Sequence, residues 1–148
     1  MRRRTASDDP APSRVFVDSS AWLAVASSSD GKHAEADALL RQAVARGISL
    51  VTTNLIVAEV HWLALVRMGI TPAMAFLDRL EASRLVSIVH ATGEHHRTGR
   101  AWLQKLADQP ISYTDGVSFA VMEAMRCRTA LTFDRHFEIA GFRVWRSP

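Results

Sequence analysis

With 148 residues, the chain is long enough to bury a hydrophobic core, and its length predicts a single domain. Hydrophobic residues make up 48% of it and charged residues 22%, which excludes disordered and fibrous proteins, and the single cysteine excludes a disulfide-stapled secreted fold and favours a reducing cytoplasm. The formal net charge of +3 is only a weak sign of an anionic partner.

The chain begins with a segment unlike the rest. After a basic start, two aspartates and two prolines stand where a secretory signal would have an apolar run. We therefore predict a disordered basic tail over residues 1–14 and a single domain over residues 15–148. No apolar run reaches the roughly 18 to 20 residues that cross a bilayer, so we expect no membrane span.

The first half of the domain alternates strands with helices. Local signals place the boundaries: Gly47 and Gly69 end helices, Thr53 or Asn54 caps one, and Pro72 suits a helix start. The predicted elements are a strand at 15–17, helices at 21–26 and 33–46, a strand at 48–52, a helix from 54 to 69 and a helix from 71.

The second half continues the alternation. It predicts a strand at 85–90, a helix at 93–106, a helix to 126 capped by Ser112 or Thr114, and strands at 130–133 and 143–146. The strands are continuous apolar runs without period-two alternation. This pattern is typical of an α/β fold with a mostly parallel sheet of about five strands, covered by helices on both faces.

Two strands end in the same way, as VFVD with Asp18 and as LTFD with Asp134. In open parallel α/β sheets, ligands bind outside the carboxyl ends of the strands. Each aspartate alone could simply cap the next helix or turn. Two such strand ends in one sheet favour a binding site.

Glu59 lies on a helix in which positions 55, 59, 62 and 66 form one stripe, otherwise occupied by Leu55, Trp62 and Val66. A carboxylate in an apolar stripe is expected to be buried, which is unfavourable unless it is paired or binds a metal. The alternative is a structural salt bridge with an arginine.

Asp115 lies in the first turn of a helix whose inner face carries Phe119 and Met122. The helix dipole favours an ionised acid there, which would be ready to act as a ligand. The same dipole supports the alternative that Asp115 only stabilises its helix.

Four carboxylates, named here the acid quartet, are thus candidate catalytic and metal-binding residues: Asp18, Glu59, Asp115 and Asp134. If they converge they repel one another, so at least one should have a raised pKa unless a cation is bound. Hard oxygen ligands select Mg²⁺ or Mn²⁺ over zinc. Such a site suits the hydrolysis of phosphodiester bonds.

Four segments follow one another along the chain: VFVDSSAW, NLIVAEVHW, SYTDGVSFAVMEA and TALTFDRHFEIAGF. Together they resemble the motifs of PIN-domain nucleases, in particular the VapC-type toxins of bacterial toxin-antitoxin pairs, over residues 15–145. The resemblance implies a three-layer PIN fold and RNA cleavage by the acid quartet with Mg²⁺ or Mn²⁺. It also implies an assisting hydroxyl such as that of Thr114, homodimers, and a small antitoxin whose tail occupies the active-site groove.

Other interpretations stay open. A phosphoacceptor receiver-like domain would need an aspartate after the third strand, where the chain has His90 and Ala91. A housekeeping RNA-processing nuclease or a catalytically idle PIN-like module would share the fold. The tryptophans at 62, 102 and 145 are predicted to pack in the core, and Arg135 with His136 form either a phosphate contact at the rim or an exposed basic pair without function.

Overall fold

The computed structural model describes residues 11–146, and there five strands form one all-parallel sheet in the order β3-β2-β1-β4-β5. The strands are β1 (Arg14–Val17), β2 (Ser49–Thr53), β3 (Val86–Val89), β4 (Thr129–Leu131) and β5 (Arg143–Val144). Residues 1–10 of the predicted tail lie outside the described residues, so that part of the tail remains a prediction. Arg14, which the prediction placed in the tail, is instead the first residue of β1, because it pairs with Ser49 of β2.

Seven helices in the described part of the chain connect these strands. They are α1 (Ser19–Ala26), α2 (His33–Arg46), α3 (Asn54–Met68), α4 (Ile70–Ala82), α5 (Gly93–Lys105), α6 (Tyr113–Ala124) and α7 (His136–Ile139). None of them is long and apolar enough to traverse a lipid bilayer. The predicted α/β class with a parallel sheet of about five strands is confirmed.

The order of the strands decides where the helices lie. From β1 through β2 to β3 the chain moves outward in one direction, and it then returns to β4 on the other side of β1. Because parallel crossovers are right-handed, α1 to α4 cover one face of the sheet and α5 to α7 cover the other. The contacts agree, since α1 packs on α2 and α3, whereas α5 packs on α6.

The central strand β1 forms the middle of the core. Its residues Val15, Phe16 and Val17 are fully buried, and the strand pairs with β2 on one side and β4 on the other. Burial on both faces explains the continuous apolar run without alternation. The strands that follow β1 are added on one side of it as far as β3, and then on the other side from β4 onward. The parallel pair β1 and β4 therefore borders the crevice in which α/β sheets bind ligands.

The predicted elements are found with ends within one or two residues of the observed ones, and the structure adds three details. Helix α4 begins at Ile70 with Gly69 as its cap, not at Thr71. Strand β4 ends at Leu131, so two residues separate it from Asp134. The short helix α7 has no counterpart in the prediction, because four residues are too few for a helical period.

Candidate active site

Asp18 follows β1 directly and lies at the cap position of α1, yet its side chain makes no capping hydrogen bond. Instead Oδ2 accepts hydrogen bonds of 2.9 Å from both Ser20 Oγ and Thr132 Oγ1. The residue is only 2% exposed. The interpretation of Asp18 as a simple helix cap is therefore wrong, because its carboxylate is held toward the β4 side of the crevice.

The loop after β4 is tied to the start of α1 by the same hydroxyls. Thr132 Oγ1 accepts a hydrogen bond of 3.0 Å from the Asp134 backbone N–H, and Ser20 Oγ accepts one of 3.0 Å from the Phe133 N–H. Asp134 thus stands near Asp18 although two residues separate it from the end of β4. Its own Oδ1 accepts a 2.9 Å hydrogen bond from the backbone N–H of His136.

Asp115 reaches the crevice from the helices on the other face. Ser112 caps α6, its Oγ accepting a 3.1 Å hydrogen bond from the Asp115 N–H. The next residue, Gly116, lies against α5 so closely that a Cβ there would be 2.8 Å from the Gly99 carbonyl oxygen. This close helix contact leaves Asp115 7% exposed at the start of α6.

Glu59 is half-buried. The prediction placed it on the inner face of α3, together with Leu55, Trp62 and Val66, but the inner face is a different one. That face carries Ile56, Val60 and Ala64, whereas Trp62 is 61% exposed, so its predicted place in the core is wrong. Burial and the negative charge of Asp18 raise the pKa of Glu59. An arginine partner would lower it, so the salt-bridge alternative is not supported.

The acid quartet also interacts electrostatically. Burial raises the pKa of Asp18 against the hydrogen bonds of Thr132 and Ser20. Burial first, and then the charges of the other three acids, raise the pKa of Asp115 from 3.8 to about 8. The expectation of at least one raised pKa is confirmed, and the helix dipole does not keep Asp115 ionised as predicted.

One further side chain joins the acids. Ligand atoms of Asp115, Asp134 and His136 all lie within 4.8 Å of one another, a spacing that could hold a metal ion. His136 was predicted to be at the rim, but its side chain is only 14% exposed, and both ring nitrogens are buried without a directed hydrogen bond in the described structure. Repelling carboxylates beside an unsatisfied imidazole fit a cation, because a cation relieves both conditions.

Sequence reasoning missed Ser20 and Thr132, and it considered His136 only as a surface residue and not as a neighbour of the acids. The hydroxyl that it named, on Thr114, has no such link to the acids, since the Thr114 contact found is its carbonyl oxygen accepting from Ser118 Oγ. The available signal was position: Ser20 and Thr132 flank the two strand-end aspartates. Arg135 is exposed, which is compatible with both of its interpretations.

Comparison with known proteins identifies relatives. The chain is 30% identical over 128 residues to the 23S rRNA-specific endonuclease VapC20 of Mycobacterium tuberculosis, covering 86% of this chain and 95% of the relative. The crystal structure of that VapC20, described as a sarcin-ricin loop cleaving toxin, superposes with a TM-score of 0.82 and 28% identity over 90% of this chain and 99% of the other.

Two more distant structures share the fold. FitAcB from Neisseria gonorrhoeae has a TM-score of 0.64 at 17% identity, covering 89% of this chain and 96% of the other. VapBC2 from Rickettsia felis, bound to a DNA fragment from its promoter, has a TM-score of 0.69 at 12% identity, covering 89% and 97%. The PIN domain family itself matches residues 15–143. This chain therefore belongs to the PIN domain family.

Proposed function

We propose that this protein is a metal-dependent endoribonuclease, that its catalytic and metal-binding residues are the acid quartet, and that it acts in the cytoplasm as the toxin of a toxin-antitoxin pair. The observation that carries the proposal is the convergence of four carboxylates at the crevice between β1 and β4, where burial first, and then the charges of neighbouring acids, raise the pKa of Asp18, Glu59 and Asp115. We take residues 15–148 as the catalytic domain.

Mg²⁺ or Mn²⁺ is the proposed cofactor, because the donors are mainly carboxylate oxygens. The acid quartet would hold the ion, with Glu59 reaching the crevice from α3. When bound there, the ion would neutralise charge at the scissile phosphate and would lower the pKa of a water molecule. The chain itself contributes positioning: Ser20 and Thr132 hold the Asp18 carboxylate in place.

A cleavage assay tests this proposal. Because the VapC20 relative carries the name of a 23S rRNA-specific endonuclease, the first substrates are intact ribosomes and a synthetic hairpin of the sarcin-ricin loop. We expect cleavage with Mg²⁺ or Mn²⁺, none in EDTA, and recovery when metal is returned in excess. Cleavage that persists in EDTA would contradict the mechanism.

Toxicity separates the toxin from the housekeeping alternative and from an idle PIN-like module. Expression of the chain alone should arrest growth of a bacterial host, and Glu59→Gln should abolish the arrest by removing one carboxylate from the site. Growth curves with matched protein levels measure the difference. Harmless expression of an enzyme that is active in vitro would indicate a housekeeping nuclease, and absence of both activities would indicate an idle module.

A small antitoxin is the proposed partner, and an apolar groove between α2 and α4 supports it. The groove has a volume of about 630 Å³ and is lined by Trp22, Leu40, Val44, Phe76 and Leu80. Val44 is 62% exposed there, as expected of a surface that a partner helix covers. Co-expression of the cognate antitoxin should restore growth, and Val44→Glu should resist that rescue while cleavage stays unchanged.

We also propose a homodimer. Trp62 and Val66 lie one turn apart on α3 and are 61% and 62% exposed, and Ile70 at the start of α4 is 71% exposed. Large apolar side chains that stand together on a surface favour association. Sedimentation equilibrium should give twice the chain mass for the wild type and a shift toward the monomer for Trp62→Asp; a wild-type monomer would contradict the proposal.

A further inference from the structure

His136 has a buried imidazole ring that lies beside two residues of the acid quartet. It is the first residue of α7, and its backbone N–H is tied to Asp134 Oδ1. The ring is turned inward, with Nδ1 3.1 Å from the same Oδ1. That approach lacks the direction of a hydrogen bond, so neither buried nitrogen is satisfied.

An unsatisfied polar atom in a protein interior is unfavourable and calls for an explanation. Packing alone does not supply one here, since Phe137, the next residue, fills the core without any polar atom. A phosphate contact at the rim does not supply one either, because the ring nitrogens are shielded from solvent. The neighbours that remain are Asp115 and Asp134, whose carboxylate oxygens lie within 4.8 Å of the ring nitrogen.

We propose that His136 donates a ring nitrogen to the metal centre, beside Asp115 and Asp134, and thereby makes the centre prefer Mn²⁺ to Mg²⁺. This inference rests on the proposed function, because it places the ligand in the same metal site. Mg²⁺ takes oxygen ligands almost exclusively, whereas Mn²⁺, although it also favours carboxylates, is a first-row transition ion that accepts an imidazole nitrogen among them. Replacing one oxygen donor by a nitrogen donor therefore weakens the binding of Mg²⁺ more than the binding of Mn²⁺.

The test uses the full-length, tag-free protein loaded with Mn²⁺ and no RNA. Pulsed electron paramagnetic resonance of the bound ion detects directly coordinated nitrogen. We expect ¹⁴N couplings in the wild type, which become ¹⁵N couplings when the protein is grown with ¹⁵N-histidine. This measurement needs no substitution, so it remains decisive even where a variant fails to fold.

Variants then assign the nitrogen. His136→Gln should remove the coupling and lower Mn²⁺ affinity on the order of tenfold, with a much smaller change for Mg²⁺ measured by competition. The matched control is His33→Gln, since His33 lies beyond the far end of α1 and its ring contacts the Ala24 carbonyl oxygen. The control should keep both the coupling and the affinity.

Each result decides a separate claim. Mn²⁺ bound in an Asp115-dependent way but without nitrogen coupling overturns the ligand role of His136 and leaves the proposed function intact. An unchanged ratio of Mn²⁺ to Mg²⁺ affinity in His136→Gln overturns the preference. Mn²⁺ binding that is equal in wild type and Asp115→Asn overturns the metal centre itself, and with it the proposed function.

Discussion

Asp115→Asn is expected to slow RNA cleavage by about 10²- to 10³-fold while leaving the protein folded. Metal ions in such sites stabilise the transition state by several kcal/mol, and about 1.4 kcal/mol corresponds to a factor of ten in rate. Asp115 is central to this effect because it is buried and senses the charges of the other three acids. The asparagine side chain has nearly the same shape as that of aspartate, but it carries no negative charge to hold the ion.

The measurement is the single-turnover rate on the sarcin-ricin hairpin at saturating Mn²⁺. Asp78→Asn is the matched control, since it removes the same group and charge from an exposed position on α4 and should cleave at the wild-type rate. Circular dichroism of each variant reports folding. If Asp115→Asn keeps wild-type activity, Asp115 is not part of the catalytic centre.

The second large effect concerns stability without metal: Asp115→Asn should melt higher than the wild type at alkaline pH. The pKa of Asp115 is raised from 3.8 to about 8 in the folded protein. Above that pH the folded wild type carries a buried, repelled charge that the variant lacks. We count about half of the free energy that corresponds to this pKa shift, because the buried amide of the variant also needs hydrogen-bond partners. The variant should then be more stable by roughly 2 to 3 kcal/mol, which raises its melting temperature by about 5 to 10 °C for a chain of this size.

The dependence on pH has a definite sign. Between about pH 4 and pH 8 the native state holds a proton on Asp115 that the unfolded chain has lost, so the stability of the metal-free wild type falls as pH rises through this window. Below the window both states are protonated, and above it the full penalty remains. The advantage of Asp115→Asn should therefore be small at pH 4 and largest at pH 9.

Thermal melts in EDTA at these two pH values, with Asp78→Asn as the control, make the comparison. With Mn²⁺ present, the wild type should melt higher than Asp115→Asn. An ion that binds only the folded site raises the melting temperature of the wild type more than that of the variant. If Asp115→Asn instead lowers the melting temperature at every pH and Mn²⁺ shifts nothing, Asp115 is a structural residue.

Much of the fold, and the identity of the four acids, could be predicted from the amino-acid sequence. Apolar runs ending in Asp18 and Asp134 placed both acids at the carboxyl edge of the sheet, because buried parallel strands need continuous apolar residues and their ends meet at one edge. Asp18 follows β1 directly, whereas two residues separate Asp134 from β4. Helix ends followed from local chemistry too: Gly47 adopts the left-handed conformation at the end of α2, and Thr53 caps α3 through its side chain.

The remainder depended on how these elements pack. Helix α3 is apolar around most of its circumference, so its pattern did not show that Ile56 faces the core while Trp62 faces outward; only the contact with the sheet decides that. The inward turn of the His136 ring and the raised pKa of Asp115 likewise arise from groups distant in sequence. The sequence by itself determined which acids the protein has and roughly where its strands end. The tertiary structure decided how deeply these acids are buried and which charges act on them, because both depend on residues that are distant in the sequence.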